Sequence, residues 1–311
     1  MGEVLMDRIK YLRVSATTKC NASCWYCFNE SQPFDYSTLE DIDGFGWLVN
    51  QLVSEYGTEI IRFTGGEPLM NPHIEELIKL AKKTGVKKVG LTTNGLLLRE
   101  KADALLACEI DDYAIHLNRV DFEQMNYRRE TAFMEWAVKK FPSVKFNIVV
   151  MTQNKTNVAS IVNYAIDHGI NLLLLDLLQA GNTVVAYEKS FCSLEDIRNQ
   201  LLNRGLIETI ENMNSKVYSN DRSSIKLLQH YSDMNIRVAY CTKFLTFHPI
   251  LLTPDMKLSI CTHFGKRAIS IETAVKTRST TLLYKIIEKL KYSLEHCVDC
   301  ARFTTLKELQ Q

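Results

Sequence analysis

Three features of the sequence predict an α/β fold with a parallel sheet. Short β-rich runs alternate with helix-period segments, composition is that of a globular chain, and cysteines cluster in the intervening loops. The 311 residues carry 37 Lys+Arg against 36 Asp+Glu, a formal net charge of +1. Hydrophobic residues make up 46% and charged residues 23%, which excludes disordered, collagen-like and coiled-coil classes. The near-neutral balance removes net charge as an argument for a nucleic-acid or anionic-membrane partner. Length alone suggests about two domains.

The β-rich runs are Tyr11–Ser15, Ile60–Thr64, Lys88–Thr92, Asp112–Leu117, Val144–Met151 and Asn171–Leu178. In Asn71–Gly85, Ile74, Leu77, Ile78 and Ala81 recur with helical spacing. Asn71 reads as its N-cap, Pro72 as its first residue and Gly85 as its stop. Asn154–Gly169 repeats the design with Ile161, Tyr164, Ala165 and His168. Strands each followed by a helix need right-handed crossovers, giving either a partial barrel or an open doubly wound sheet. Ligands in such folds bind at the carboxyl ends of the strands.

Beyond Leu178, Gln179–Tyr240 reads as polar helices and loops, with Leu194–Arg204 and Leu206–Met213 the clearest helices. Phe244–Thr253 reads as a strand, Pro254–Lys257 as a turn, Leu258–Cys261 as a returning strand and Thr281–Leu294 as a helix. The expected divisions are a core over 1–178, a connecting, substrate-side region over 179–240 and a C-terminal unit over 241–311.

Nine cysteines are the unusual feature of the composition. Met1–Lys10 mixes acidic and basic residues where a secretory leader needs an apolar stretch. Leu172–Leu178 is broken by Asp176 and too short to span a bilayer. A cytoplasmic chain with reduced thiols is expected, in which clustered cysteines point to metal or redox chemistry. Cys20, Cys24 and Cys27 are spaced CxxxCxxC in the loop after the first strand. Zinc asks for a fourth ligand of a kind that neighbouring Asn21, Ser23 and Trp25 do not offer. A cubane iron–sulfur cluster takes one ligand per iron, so three thiolates leave one iron open. Cys241, Cys261, Cys297 and Cys300 form a second group, suited by count to zinc or to a fully ligated [4Fe–4S] cluster. Cys108, in an Ala/Leu-rich helix, reads as core, and Cys192 as a thiol near a helix start.

With Tyr26 as the aromatic of CxxxCxΦC, the sequence resembles the radical S-adenosylmethionine (SAM) superfamily. Thr64-Gly65-Gly66-Glu67-Pro68 matches the family's GGEP element, and Thr92-Thr93-Asn94-Gly95 its TNG turn. Phe146–Val150, followed by Asn154 as a cap, resembles the strand of the molybdenum-cofactor cyclase branch. The resemblance covers about Tyr11–Leu178 and implies a partial (β/α)6 barrel of parallel strands. It also implies a [4Fe–4S] cluster on Cys20, Cys24 and Cys27 whose open iron chelates SAM. Gly65, Gly66 and Glu67 would hold the methionyl amino group, Tyr26 would pack near the adenine, and Asn94 and Asn147 would contact ribose or carboxylate. His116 stands where the family often has serine, which makes it a candidate for SAM binding or substrate chemistry.

Cys241 to Cys261 resembles the C-x(9–15)-G-x4-C element of SPASM and shorter twitch domains, with Met256 in place of the glycine. With the closing CVDC, this implies a small twitch-like domain holding a second, auxiliary [4Fe–4S] cluster. The spacing differs from that of the molybdenum-cofactor cyclase, and the chain ends without that enzyme's glycine pair, so kinship is expected without that specific activity. The expected function is hydrogen abstraction by a 5′-deoxyadenosyl radical, with oxidation or rearrangement of a small, natural-product-like or sugar-like metabolite. The electron would come from a flavodoxin- or ferredoxin-like donor. Peptide or protein modification is the alternative, disfavoured by the short stretch before the first strand. A non-catalytic iron–sulfur or zinc module leaves GGEP and TNG unexplained.

Overall fold

A computed structural model describes residues 9–27, 29, 32, 35–117, 126–178, 187–212, 215–229, 249–260 and 268–295. The six expected strands form where the β-rich runs lie: β1 (Tyr11–Thr17), β2 (Ile60–Gly65), β3 (Lys88–Thr93), β4 (Asp112–His116), β5 (Val144–Val149) and β6 (Asn171–Leu175). Helices α1 (Ile42–Ser54), α2 (Ile74–Lys83), α3 (Ala102–Leu106), α4 (Tyr127–Lys140) and α5 (Lys155–His168) connect them. All neighbouring pairs from β1 to β6 are parallel and in sequence order.

Side chains alternate across this sheet as period-2 geometry requires. Leu12, Val14, Phe63, Leu91, Phe146 and Leu174 belong to the apolar core that the helices cover. The opposite face presents Arg13, Ser15, Arg62, Asp112, Lys145 and Asn147 from the intervening positions. The helix faces follow the same logic: α2 buries Ile74, Leu77, Ile78 and Ala81, the residues the spacing selects. Its first turn differs from expectation. Asn71 is fully buried, its Oδ1 accepts from His73 N at 2.7 Å, and its Nδ2 donates to the carbonyls of Ala16 and Leu39. Asn71 therefore ties the turn to β1, and the helix starts at Ile74. Asn154 does precede α5, but its side chain turns back to Met151 N and Val149 O.

The sheet continues past both expected divisions. After α6 (Tyr187–Ser190) and α7 (Glu195–Asn203) come β7 (Ile207–Asn212), β8 (Ser215–Ser219) and β9 (Ser224–Leu228). The segment Leu206–Met213, expected to be helical, is thus a strand where it is described. Ile207 and Ile210 mimic helical spacing, yet both are exposed, and β7 is fixed by antiparallel pairing with β8. β9 pairs parallel to β6, and β10 (Ile250–Leu252) pairs parallel to β1. β11 (Lys257–Ser259) and β12 (Ile269–Ser270) follow antiparallel, and α8 (Glu272–Lys276) and α9 (Thr280–Glu295) complete the described elements. Among the described residues the order is β12-β11-β10-β1-β2-β3-β4-β5-β6-β9-β8-β7, with free edges at β12 and β7. The sheet is open, as a partial barrel is.

The β10–β11 turn holds Met256 at φ 54°, a left-handed conformation that favours glycine. The position that the resemblance assigns to glycine keeps a glycine-like backbone here. Cys241, Cys261, Cys297 and Cys300 lie outside the described residues. Among the described residues, no helix is long and apolar enough to cross a membrane.

Candidate active site

The C-terminal ends of β1, β2 and β3 meet at one corner of the sheet, and hydrogen bonds lock their loops together. A register shift between Ser15 and Thr17 interrupts the β1–β2 ladder just before its last pair, Thr17 with Gly65, and an irregularity of this kind re-aims the chain. Thr17 then anchors the cysteine loop: its Oγ1 donates to Ser37 O at 2.8 Å and accepts from Lys19 N at 3.1 Å. The GGEP turn lies directly against this stretch. Gly66 N donates to Thr17 O at 2.8 Å and Glu67 N to Lys19 O at 2.7 Å. Gly65 sits at φ +132°, and a Cβ on Gly65 or Gly66 would stand 2.3 Å from the carbonyl oxygen of Thr17 or Lys19. Only glycine permits this approach.

The resemblance implies that the Gly65–Glu67 backbone and Glu67 hold the methionyl amino group; in the structure the Glu67 side chain points inward. Its carboxylate is wholly buried, accepts from Thr93 Oγ1 and Leu69 N at 2.7 and 3.1 Å, and accepts from Asn94 N at 2.7 Å. Burial raises its pKa, and the donors from Asn94 and Thr93 oppose the rise. Glu67 is a strut between the GGEP and TNG turns, leaving backbone as what GGEP presents to the cysteine loop. Asn94 closes the connection, donating from Nδ2 to Asn21 Oδ1 at 2.8 Å and lying 3.8 Å from Cys20 Sγ.

Cys20 is exposed and Cys24 and Cys27 are half-buried on this loop. Ala22 N donates to Cys20 Sγ and Asn29 N to Cys27 Sγ, each at 3.4 Å. Among the described residues, no three His, Cys, Asp or Glu side chains close on a single ion. Burial raises the Cys20 thiol, with Glu67 and Cys24 adding to the rise and Ala22 N–H opposing it. The donor set fits a cubane cluster: three soft sulfurs on one loop, two of them already receiving amide N–H groups, in a setting where iron would offset the accumulated negative charge.

Tyr26 and Trp25 meet edge to face at 6.0 Å and pack against Met151 and Leu177, with Val149 and Tyr187 completing an apolar cluster. Across the sheet, His116 and Asn147 are register partners on β4 and β5. The Asn147 side-chain amide lies 3.3 Å from His116 Nε2, within hydrogen-bond reach. Burial, helped by the Arg13 charge, lowers the His116 pKa to about 4, so the ring is neutral near pH 7.

Sequence reasoning misses the charged network deeper on the same face. Asp112 takes Arg62 Nη2 on Oδ1, and Lys88 at 2.9 Å and Lys145 at 3.5 Å on Oδ2. The available signal is that Arg13, Arg62, Asp112 and Lys145 are charges at alternate positions of strands that parallel sheets otherwise fill with apolar residues. Cys108 is buried as expected, with Sγ 3.2 Å from Ala104 O. Cys192 packs at the margin of the main core.

The Radical SAM superfamily profile matches residues 14–165. The GTP 3′,8-cyclase of Chlorobaculum tepidum is 26% identical over 99% of this chain and 96% of its own. A probable GTP 3′,8-cyclase of Sulfolobus acidocaldarius is 26% identical over 90% of each chain. Among solved structures, Streptococcus suis SuiB bound to S-adenosylmethionine superposes with a TM-score of 0.62 over 93% of this chain and 68% of its own, at 13% identity. Hexahistidine-tagged anSMEcpe with bound AdoMet gives 0.55 over 92% and 83%, at 17% identity. Both share the fold. The cysteine loop, the glycine turn packed against it and the matching profile have one reading: the chain belongs to the radical SAM superfamily.

Proposed function

We propose that this enzyme cleaves SAM reductively and abstracts a hydrogen atom from a small hydroxylated metabolite seated on the polar face of the sheet, with oxidation or rearrangement as the outcome. The observation that carries the reading is a set of buried polar atoms on that face that have no hydrogen-bond partner among the described residues: Ser15 Oγ, Arg62 Nη1 and Asn147 Oδ1. Buried polar groups are nearly always paired, so these atoms support a ligand whose own polar groups complete the bonds there. Ser15 and Arg62 lie on the strands that lead into the cysteine loop and the GGEP turn, and Asn147 is the register partner of His116.

When bound to Cys20, Cys24 and Cys27, a [4Fe–4S] cluster with SAM supplies a 5′-deoxyadenosyl radical for hydrogen abstraction. The chain's part is placement and exclusion. Gly65, Gly66 and Asn94 fix the loop, while Tyr26 and Trp25 with Met151 and Leu177 keep water from its inner side. Neutral His116, oriented by Asn147, is set to share a proton with a substrate hydroxyl. Cys241, Cys261, Cys297 and Cys300 would hold the auxiliary cluster, and a flavodoxin- or ferredoxin-like protein would donate the electron. A second reading, a nucleotide substrate, is favoured by the named activity of the relatives.

The test is anaerobic reconstitution followed by SAM and dithionite. 5′-Deoxyadenosine should form, and deuterated polyols or sugars should pass deuterium into it. An iron-replete protein that leaves SAM intact would overturn the reading, and deuterium transfer from peptides alone would move the substrate to that class.

A further inference from the structure

The charged network on the polar face is held by more than chance proximity. Arg62 and Asp112 come from strands separated by β3, and their side chains are only 9% and 8% exposed. Between them stands Gly90, in register with both. A Cβ on Gly90 would lie 2.7 Å from the Arg62 guanidinium and 2.8 Å from Asp112 Oδ1. The space for the pair exists because this position has no side chain. Lys88 and Lys145 then converge on the other carboxylate oxygen. Burial works against ionising Asp112, but Arg62 and then Lys145 outweigh it and hold the carboxyl below its ordinary range. Further along, Lys226 is claimed by Glu211 in the same way.

We propose that Asp112 is a built-in counter-ion that occupies the cations of the substrate face, so that the site takes a hydroxylated substrate bearing at most one negative charge and rejects polyphosphates. This rests on the reading that the substrate binds on this face. A polyphosphate would have to share Arg62, Lys88 and Lys145 with a fixed carboxylate, and each added negative charge would meet Asp112 at short range in a poorly screened setting. Arg62 Nη1, buried and without a partner among the described residues, keeps hydrogens for a neutral oxygen or a single anionic group. Asp112 is thus a specificity residue of this chain, set by charge and not by shape.

Isothermal titration of the reconstituted full chain with sodium tripolyphosphate tests it. Wild type should bind more weakly than about 1 mM, and Asp112→Asn should gain at least about tenfold. Asp103→Asn, an equal charge change at a side chain 91% exposed, should gain nothing. Tight binding by wild type, or equal gains in the two variants, would overturn the proposal. Should Asp112→Asn fail to fold, the double change Arg62→Gln/Asp112→Asn leaves no buried guanidinium uncompensated. It frees Lys88 and Lys145, and unchanged tripolyphosphate binding there also overturns the proposal. The titration needs no turnover, so failure to cleave SAM defeats the catalytic reading while the Asp112 result stands.

Discussion

Glu67 is a carboxylate used as a structural staple. Its two oxygens serve three donors from the turns it joins, in a place closed to solvent. Glu67→Ala should therefore destabilise the fold by about 2–4 kcal/mol, read from urea unfolding. Gly66→Ala places a methyl against the Lys19 carbonyl and should lower both the thermal midpoint and the iron retained on the cysteine loop. His116 gives a pH signature. Its folded pKa of about 4 lies below the ordinary 6.5, so the imidazolium favours the unfolded chain. Stability from this residue is flat above pH 6.5 and falls as pH drops toward 4; His116→Gln should remove that component of the urea-midpoint profile. Cysteine loop, GGEP and TNG are legible in the sequence because each is a local string. The direction of Glu67 is not, since it depends on how two turns from different strands meet.

At the scale of elements, the strands and their helices follow from periodicity, while their partners at the sheet margins do not. Ile207 and Ile210 have a spacing that suits a helix, and only pairing with β8 decides otherwise. The Arg62–Asp112 pair spans two strands, so it becomes visible only once register is known. Gly169 shows how an element end couples to the added strands. It caps α5 at φ +68°, and a Cβ there would approach the Arg222 carbonyl to 3.2 Å. Gly169→Ala should cost about 1–2 kcal/mol in chemical denaturation, from left-handed strain plus crowding. Full stability in that variant would contradict both contributions, since a yielding β8–β9 turn would relieve the crowding and leave the left-handed strain.

For the whole molecule, the nine cysteines divide into a loop group of three, a C-terminal group of four and two others, of which Cys108 is buried and Cys192 half-buried. Two filled clusters predict about eight irons per chain. Cys24→Ala should abolish 5′-deoxyadenosine formation. Cys297→Ala should lower the iron count to about four while SAM cleavage persists. Loss of cleavage in a folded Cys297→Ala protein would contradict that division of labour. Substrate identity is not legible in the sequence, because it is set by side chains from strands far apart along the chain.

The pairing of β1 with β10 bears on biogenesis. Leu12 finds Ile250 as its ladder partner, most of the length of the chain later. During translation the six-strand core can assemble while one side of β1 still shows open backbone groups to solvent or to another nascent chain. Long-range pairings of this kind form late, and open strand edges invite mispairing. Slow synthesis or premature termination before Ile250 should therefore yield aggregates seeded at β1, and a chaperone that shields that edge should raise the yield of native enzyme.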